Sequence, residues 1–349
     1  MRVETDFEPR EVFAMAVTIR DLAEYCQLSI SSVSKALNDY ADVSAETRDR
    51  VRAAAKALGY HPSAIARGLK TGRSYNLGVL YSDETQSGFT HSYFSPILQA
   101  FKEEAEQHGY DITFVSHGNN GMDYLERCRF RGVDGICIVC SRYDDPNVVK
   151  LINGPLPVLT IDYLFNNRSC IQSENRQGME MLVHYVLSRG HQRIAYITGD
   201  PGAVTETRLT AFRRAMAAAG KAVPPDYLPV SAYHNPTAAR QATRKLLALP
   251  VRPTCILMPD DYAALGGMDA IRAAGLRIPE DISIAGFDGV PLLQMCKPKL
   301  TSVSQNTQSI GSLAASKLIA QIEMPETTYP EILTVPCQLI EGATVAALA

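Results

Sequence analysis

The chain has 349 residues, of which 46% are hydrophobic and 20% are charged, and its formal net charge is −3. It is too long for one hydrophobic core of usual size, so we expect two or three domains. The sequence contains no run of about 18 apolar residues, which excludes a transmembrane helix, and residues 1–16 lack the basic flank and apolar core of a signal peptide. We therefore predict a cytoplasmic protein without a membrane partner, in which residues 1–16 form a disordered extension.

The stretch from Thr18 to Asn38 predicts two short helices with almost nothing between them. Apolar residues recur in each half at the spacing of one helical face. These positions are Ile19, Leu22, Ala23 and Cys26 in the first half and Val33, Ala36 and Leu37 in the second. Thr18 and Ser29 are placed to cap the two helices, because a hydroxyl accepts from the free N–H groups of a first turn. Helices this short need steep packing against a third, which predicts a helix-turn-helix.

The outer face of the second helix offers small polar groups and one cation. Its residues are Ile30, Ser31, Ser32, Ser34 and Lys35. Side chains of this kind suit a DNA groove. The alternative is an ordinary helical hairpin whose polar face is only solvated.

A third helix follows and carries much of the positive charge. It is predicted to start after Ser44 and to end at Gly59, which completes a DNA-binding domain over residues 17–61. Seven Lys and Arg residues lie between Arg48 and Arg73 against one acidic residue, a local charge of +6. Such a block on an otherwise acidic chain indicates contact with a polyanion. A solvated basic face would explain it equally well.

Residues 62–74 predict a short helix followed by a linker. Pro62 is favourable in a first turn, but Gly68 and the short length make the helix marginal in isolation. Ile65 and Leu69 would lie on one side with nothing to cover them. The segment therefore needs a partner to order it.

From Tyr75 onward, predicted strands alternate with predicted helices. The strands are expected at 77–81, 111–116, 135–140, 158–162, 193–198, 255–258 and 283–287, and the helices at 96–108, 123–129, 176–189, 209–219, 237–249 and 263–274. Repeated units of this kind form parallel sheets with helices on both faces, and about 270 residues suffice for two such lobes. The fold class is therefore α/β, with doubly wound sheets behind a helical N-terminal domain.

Acidic residues stand at the predicted ends of these strands, where ligands of open parallel sheets bind. They are Asp83, Asp162, Asp260, Asp261 and Asp288, and Arg208 lies just before a helix. Together they predict a polar cleft that holds a sugar or a base by its hydrogen-bonding edges. Each Asp taken alone could simply cap the helix that follows.

The sequence shows no catalytic or metal-binding motif. It contains no P-loop, no GxSxG, and no GxGxxG after a strand. Cys137 and Cys140 form a CxxC within a predicted strand, where residues three apart point to opposite faces and cannot share a metal. We therefore expect no enzyme activity, no cofactor and no metal.

Several segments together resemble the LacI/GalR family of bacterial transcription regulators, from Val17 to Leu339. They are VTIRDLAEYCQLSISSVSKALN at 17–38, the run from 43 to 80, RGVDGI at 131–136, GHQRIAYITG at 190–199, IPEDISIAGFD at 278–288 and LTSVSQ at 300–305. The resemblance implies a two-lobed core like that of periplasmic binding proteins. Its expected lobes are residues 75–171 with 302–333 and residues 172–301 with 334–345.

The resemblance also implies a homodimer that binds double-stranded operator DNA. A recognition helix of each subunit would read bases through Ile30, Ser31 and Lys35, while a hinge helix folds on the operator and wedges Leu69 into the minor groove. The full set of expected DNA-contacting residues is Thr18, Ser29, Ile30, Ser31, Ser32, Ser34, Lys35, Asn38, Ala66, Leu69 and Lys70.

A small-molecule effector, a sugar or a related metabolite, is the second partner that the resemblance implies. The residues expected to bind it are Tyr93, Phe94, Asp162, Arg208, Asp260 and Asp288. The sequence departs from the family at Gln27, where a turn glycine is usual, at Lys35, where Arg is more common, and in its longer loop 82–93. A sugar-binding transport receptor would share the core but leaves residues 17–70 unexplained, and an enzyme would need a catalytic set.

Overall fold

The structure is a computed structural model, which describes residues 17–60, 68, 72–82, 87–116 and 121–348. The chain divides into one unit that ends at Ser74 and another that starts at Tyr75. Several expectations lie outside the described residues: the disordered extension 1–16, most of the hinge helix with Ala66, Leu69 and Lys70, and Asp83 in the loop 82–93. Within the part that the structure describes, no helix is long and apolar enough to cross a membrane.

The first unit contains three helices that pack on one another, α1 (Ile19–Cys26), α2 (Ile30–Leu37) and α3 (Ala45–Leu58). The predicted apolar faces form its core, in which Leu22, Val33 and Val51 are fully buried. The side chain of Thr18 accepts from the N–H of Asp21 and that of Ser29 from the N–H of Ser32, which satisfies the free donors of each first turn. The predicted helix-turn-helix is confirmed.

Gln27 forms the turn between α1 and α2. Its φ of 53° lies in the left-handed region, and the N–H of Leu28 donates to Ala23 across the turn at 3.0 Å. A side chain in this conformation costs roughly 1 kcal/mol relative to glycine. The packing of Leu22 and Val33 on either side of the turn offsets that cost.

The second unit is built from two parallel sheets. The strands are β1 (Asn76–Tyr81), β2 (Asp111–Phe114), β3 (Gly135–Cys140), β4 (Val158–Ile161), β5 (Ser169–Ser173), β6 (Ile194–Tyr196), β7 (Cys255–Leu257), β8 (Ser283–Asp288), β9 (Thr301–Gln305), β10 (Ile332–Val335) and β11 (Cys337–Ile340). Among the described residues, the first lobe has the order β10-β5-β4-β3-β1-β2 and the second lobe β11-β9-β8-β7-β6. Every pairing is parallel except that of β11 with β9.

Helices cover both faces of each sheet, as the alternating pattern predicted. They are α4 (Phe94–Gln107), α5 (Tyr124–Arg131), α6 (Pro146–Ile152), α7 (Asn175–Ser188), α8 (Ala203–Ala218), α9 (Pro236–Leu247), α10 (Asp261–Ala273), α11 (Pro291–Met295) and α12 (Thr307–Glu323). Along β3, Ile136 and Ile138 belong to the apolar cluster on one face and Cys137 and Val139 to that on the other. Successive side chains of a strand point to opposite faces, so these residues build two cores at once.

The chain crosses between the lobes three times, and the crossings differ from the expected boundaries. The expectation that the first lobe resumes at residue 302 is wrong, because β9 pairs with β8 and β11 in the second lobe. The return to the first lobe comes after Gln305, with α12. Strands β5 and β10 also continue in the first lobe to Ser173 and Val335, two residues beyond the expected exits.

The buried side chain of Asp261 links β9 and the segment after β8 by hydrogen bonds. It is fully buried, its Oδ1 accepts from the hydroxyl of Ser302 at 2.6 Å, and its Oδ2 accepts from the N–H of Val290 at 2.6 Å. Burial raises its pKa to about 7 against the opposing effect of these hydrogen bonds. Asp261 is therefore a structural residue of the second lobe, although it stands at a strand end in the sequence.

This raised pKa links the stability of the second lobe to pH. An unfolded aspartate releases its proton near pH 4, whereas the folded one holds it until about pH 7. The stabilisation from Asp261 is therefore complete below pH 4 and declines as the pH rises towards 7, by at most about 1.4 kcal/mol per pH unit. Asp261→Asn should remove about one proton from the pH dependence of urea unfolding in this range. The exposed Asp226→Asn should leave the profile parallel to wild type, and a parallel profile for Asp261→Asn would contradict the assignment.

Candidate functional site

The outer face of α2 presents the residues that the sequence proposed for reading DNA. Ser31 and Lys35 are exposed, and Ile30 is 45% exposed although it is a large apolar residue. The opposite face is not accessible, because Val33 and Ala36 are buried in the three-helix core. The chemistry of α2 is therefore available on one side only.

The remaining proposed polar contacts in the first unit are held by local hydrogen bonds. Ser29 is 2.8 Å from the Ser31 hydroxyl and 2.9 Å from the Ser32 hydroxyl, and the side-chain amide of Asn38 donates to the carbonyl of Ser34 at 2.6 Å. These bonds fix the polar groups at both ends of α2. They leave the hydroxyls able to reorient towards a partner, since a hydroxyl both donates and accepts.

Lys35, the one cation on the outer face of α2, has a partner. Its ammonium forms an ion pair with Asp42, which raises the pKa of Lys35 and lowers that of Asp42. Asp39 binds Arg52 through both of its carboxylate oxygens, at 2.6 and 2.7 Å. Sequence reasoning missed Asp39 and Asp42, although both follow the second helix directly.

The second unit holds a polar cleft where the carboxyl ends of the two sheets face each other. In the first lobe, the hydroxyl of Tyr93 donates to Oδ2 of Asp162 at 2.6 Å, and the N–H of Ser173 donates to its Oδ1 at 3.4 Å. Burial raises the pKa of the Asp162 carboxyl, while its bond to Tyr93 opposes that shift. The ring of Phe94 lies 5.1 Å from that of Tyr93, which adds an aromatic surface beside the carboxylate.

Arg208 is the buried cation of the second lobe. Its Nε donates to Oδ1 of Asn175 at 2.7 Å and its Nη1 to the carbonyl of Pro259 at 2.9 Å, and the guanidinium lies 3.6 Å from the centre of the Phe287 ring. These contacts fix the planar group in one orientation. Arg208 is 3% exposed, and it lies within α8 rather than before it.

Asp260 and Asp288 flank His234 in the second lobe. The N–H of His234 donates to Oδ2 of Asp260 at 2.8 Å, and its ring nitrogens lie 3.9 Å from Oδ1 of Asp260 and 3.8 Å from Oδ2 of Asp288. Asp260 also caps α10 by accepting from the N–H of Ala263. The structure therefore confirms Asp260 as a helix cap, and its role in the cleft stays a prediction.

Asp288 occupies a strained position at the end of β8. Its φ of 110° is rare for a side-chain-bearing residue, and its Oδ1 accepts from the amide of Gln305 at 2.6 Å. Burial raises the pKa of its carboxyl well above the usual range, Arg208 opposes this shift, and Asp260 and Asp261 add to it. Asp162 and His234 also have positive φ values, and strain of this kind concentrates at functional sites.

Two histidines that sequence reasoning missed join the lobes across the cleft. The rings of His91, from the first lobe, and His234, from the second, are 4.1 Å apart edge to face. Nδ1 of His91 accepts from the N–H groups of Tyr93 and Phe94, at 3.3 and 3.4 Å. The only sequence signal for His91 is its position two residues before the Tyr93–Phe94 pair, and His234 has none.

A cavity of about 300 Å³ opens between the lobes beside Asp162. It is lined by Asp162, Leu164, Gln172, Ser173, Glu174, Asn175, Arg176, Gln177, Ala203, Val204, Thr207 and Thr334. Its volume matches the smaller ligand sites of proteins, which begin at about 300 Å³. Gln305 Oε1 is buried and has no hydrogen-bond partner among the described residues, but Gln305 does not line this cavity.

Known proteins share both units. Residues 18–63 match the family described as bacterial regulatory proteins, lacI family, and residues 183–345 match a periplasmic binding protein-like domain. Two curated relatives are named HTH-type transcriptional repressor PurR and are each 31% identical to this chain. The one from Pasteurella multocida (strain Pm70) aligns over 312 residues, 87% of this chain and 92% of its own, and the one from Escherichia coli O139:H28 (strain E24377A / ETEC) over 337 residues, 94% and 97%.

A solved structure of the lac repressor dimer bound to operator and the anti-inducer ONPF is also similar. It is 26% identical, has a TM-score of 0.77, and the alignment covers 95% of this chain and 100% of that one. The similarity to these proteins therefore spans both units rather than the core alone. The chain belongs to the LacI family of bacterial regulatory proteins.

Proposed function

We propose that the protein is a cytoplasmic transcriptional repressor that binds a near-palindromic operator as a homodimer and responds to a small molecule held between its core lobes. The observation that carries this proposal is the combination, in one chain, of a helix-turn-helix with an exposed reading face and a two-lobed core with a polar cleft. The relatives named as transcriptional repressors and the operator-bound dimer support it.

In this proposal, α2 enters the major groove of each half-site. Ile30 contacts a thymine methyl group, Ser31 donates to or accepts from a base edge, and Lys35 donates to a guanine. The other polar side chains around α2 contact the sugar-phosphate backbone and fix the register. These residues are Thr18, Ser29, Ser32, Ser34 and Asn38.

Leu69 is proposed as the wedge at the operator centre, with Ala66 and Lys70 beside it. These three residues lie outside the described part of the chain, so their roles rest on the sequence resemblance. An apolar side chain inserted between base steps unstacks them and bends the duplex.

The effector is proposed to be a sugar or a related metabolite that meets both lobes. Asp162, Asp260 and Asp288 would accept from its hydroxyl groups, Arg208 would donate, and Tyr93 and Phe94 would cover an apolar face. A ligand that contacts both lobes shifts the equilibrium between their arrangements by its difference in affinity for them. The ligand therefore controls the protein through lobe closure.

Two other functions have weaker support. A sugar-binding transport receptor would use the same core but has no role for the helix-turn-helix of residues 18–63. An enzyme would need a catalytic set that the sequence motifs do not supply, and the named relatives are repressors. Neither class accounts for the exposed face of α2.

DNA selected from a random pool by the full-length protein should converge on one near-palindromic motif. Affinity for that motif should fall steeply with salt, because bound cations release counterions from the duplex. Ile30→Ala should weaken operator binding by about tenfold, since lost apolar contact costs on the order of 1 kcal/mol. Binding to a scrambled duplex serves as the control and should not change. A pool without any enriched motif would overturn the proposal.

Thermal-shift measurements against sugars, sugar phosphates and nucleobases should find a compound that stabilises the core. For a compound at about 100 times its Kd, binding adds about 2.7 kcal/mol to stability. Asp288→Asn should reduce this shift strongly and leave operator affinity unchanged, because Asp288 is proposed to bind the ligand and lies outside the helices proposed to contact DNA. Asp269→Asn, which alters an exposed ion pair between Asp269 of α10 and Arg240 of α9, is the matched control. An undiminished shift for Asp288→Asn would remove that residue from the site.

A further inference from the structure

The three-helix part of the first unit, residues 17–60, has no excess of positive charge. Residues 17–60 contain six Lys and Arg residues and six Asp and Glu residues, so their formal charge is zero. Proteins that bind DNA through its phosphates usually carry a basic patch, because their affinity comes largely from the counterions they displace. The way in which these charges are arranged therefore matters more than their sum.

Two of the six acidic residues lie in the loop that follows α2. This acidic loop, residues 39–42, is fixed to the end of the helix: the N–H of Tyr40 donates to the carbonyl of Lys35 at 3.1 Å, and the N–H of Val43 donates to that of Tyr40 at 3.2 Å. Val43 packs on the three-helix core. The carboxylates of Asp39 and Asp42 are thus held beside the reading face.

The acidic loop forms ion pairs with three of the six cations in residues 17–60. Asp42 pairs with Lys35, and Asp39 accepts both hydrogen bonds from Arg52 and lies 3.7 Å from Arg48. The side chains of Lys35 and Asp42 are 46% and 55% exposed. Exposed pairs are weak and exchange readily, so a better partner can displace the carboxylate.

The ion pairs of Asp39 and Asp42 affect non-specific DNA binding and operator binding differently. Non-specific binding depends on cations that meet phosphates, and a cation held by a carboxylate releases fewer counterions. The carboxylate itself also repels the phosphate backbone. In an operator complex, by contrast, Lys35 gains a guanine edge in the groove, where the base offers two acceptors away from the phosphates.

We propose that Asp39 and Asp42 are specificity-determining residues that weaken binding to non-operator DNA more than binding to the operator. The inference rests on the proposed operator-binding function and extends it. Selectivity is a difference between two affinities, so it can be raised by opposing the wrong complex. Asp42 has the larger role because its partner, Lys35, lies on the reading helix itself.

The test compares Asp42→Asn with wild type in the full-length protein. Affinity is measured for the selected operator and for a scrambled duplex of equal length, over a range of salt concentrations. We expect binding to the scrambled duplex to strengthen about fivefold to tenfold, with a salt dependence steeper by about one ion. Operator affinity should change less, so that the ratio of the two affinities falls. Asp39→Asn combined with Asp42→Asn should extend both effects.

Glu24→Gln is the matched control, because it removes the same charge from an exposed position on α1. Glu24 pairs with no cation among the described residues. Equal gains for Glu24→Gln and Asp42→Asn would show that only net charge matters and would overturn the proposal. Weaker binding of Asp42→Asn to both duplexes, with an unchanged unfolding temperature, would also overturn it.

Two further results separate this inference from the function on which it rests. In the Lys35→Gln background, Asp42→Asn should lose most of its effect, since the paired cation is gone; an unchanged effect would contradict the pairing. Failure of the wild-type protein to prefer any motif over the scrambled duplex would overturn the repressor function and the inference together. If the wild-type protein prefers its operator but Asp42→Asn leaves both affinities unchanged, the inference alone is overturned.

Discussion

Carboxylates buried within the two lobes impose the constraint on which the core depends. A buried charge is costly unless it is paired or hydrogen-bonded, and each of these aspartates accepts hydrogen bonds from different groups. Asp162 is bound by a tyrosine hydroxyl, Asp288 by a glutamine amide, Asp261 by a serine and a backbone N–H, and Asp260 by the first turn of a helix. The partner of Asp162 lies in the first lobe and the partners of the other three lie in the second, so each lobe stabilises its own aspartates.

The two units use charge in different ways. In the core, burial raises the pKa values of Asp162 and Asp288 above their usual range. In the first unit, the charges of Lys35 and Asp42 remain in water, where pairing is weak and exchangeable. The buried carboxylates of the core thus belong to the proposed ligand site. The exposed Lys35–Asp42 pair is weak enough for DNA to replace Asp42 as the partner of Lys35.

Periodicity predicted most of the fold, because each helix and strand buries one regular face. It gave the three helices of the first unit, with Leu22 and Val33 inside, and the parallel sheets of the core. It could not assign β9, since a short buried strand has the same pattern in either sheet. The rule that ligands bind beyond the carboxyl ends of parallel strands selected Asp162 and Asp288 as candidate ligand-binding residues. His91, His234 and the partner of Lys35 lie in loops, where neither periodicity nor topology specifies which side chains meet.

The three crossings between the lobes have a consequence for how the protein is made. The first sheet needs β10, and α4 needs α12 to pack against, yet both follow most of the second lobe in the chain. During synthesis the first lobe therefore stays unfinished until about residue 335 has emerged, with one edge of β5 and one side of α4 uncovered. Domains usually fold as units from the N-terminus onward. Here neither lobe is complete until the last part of the chain has been made, because the first sheet needs β10 and the second needs β11.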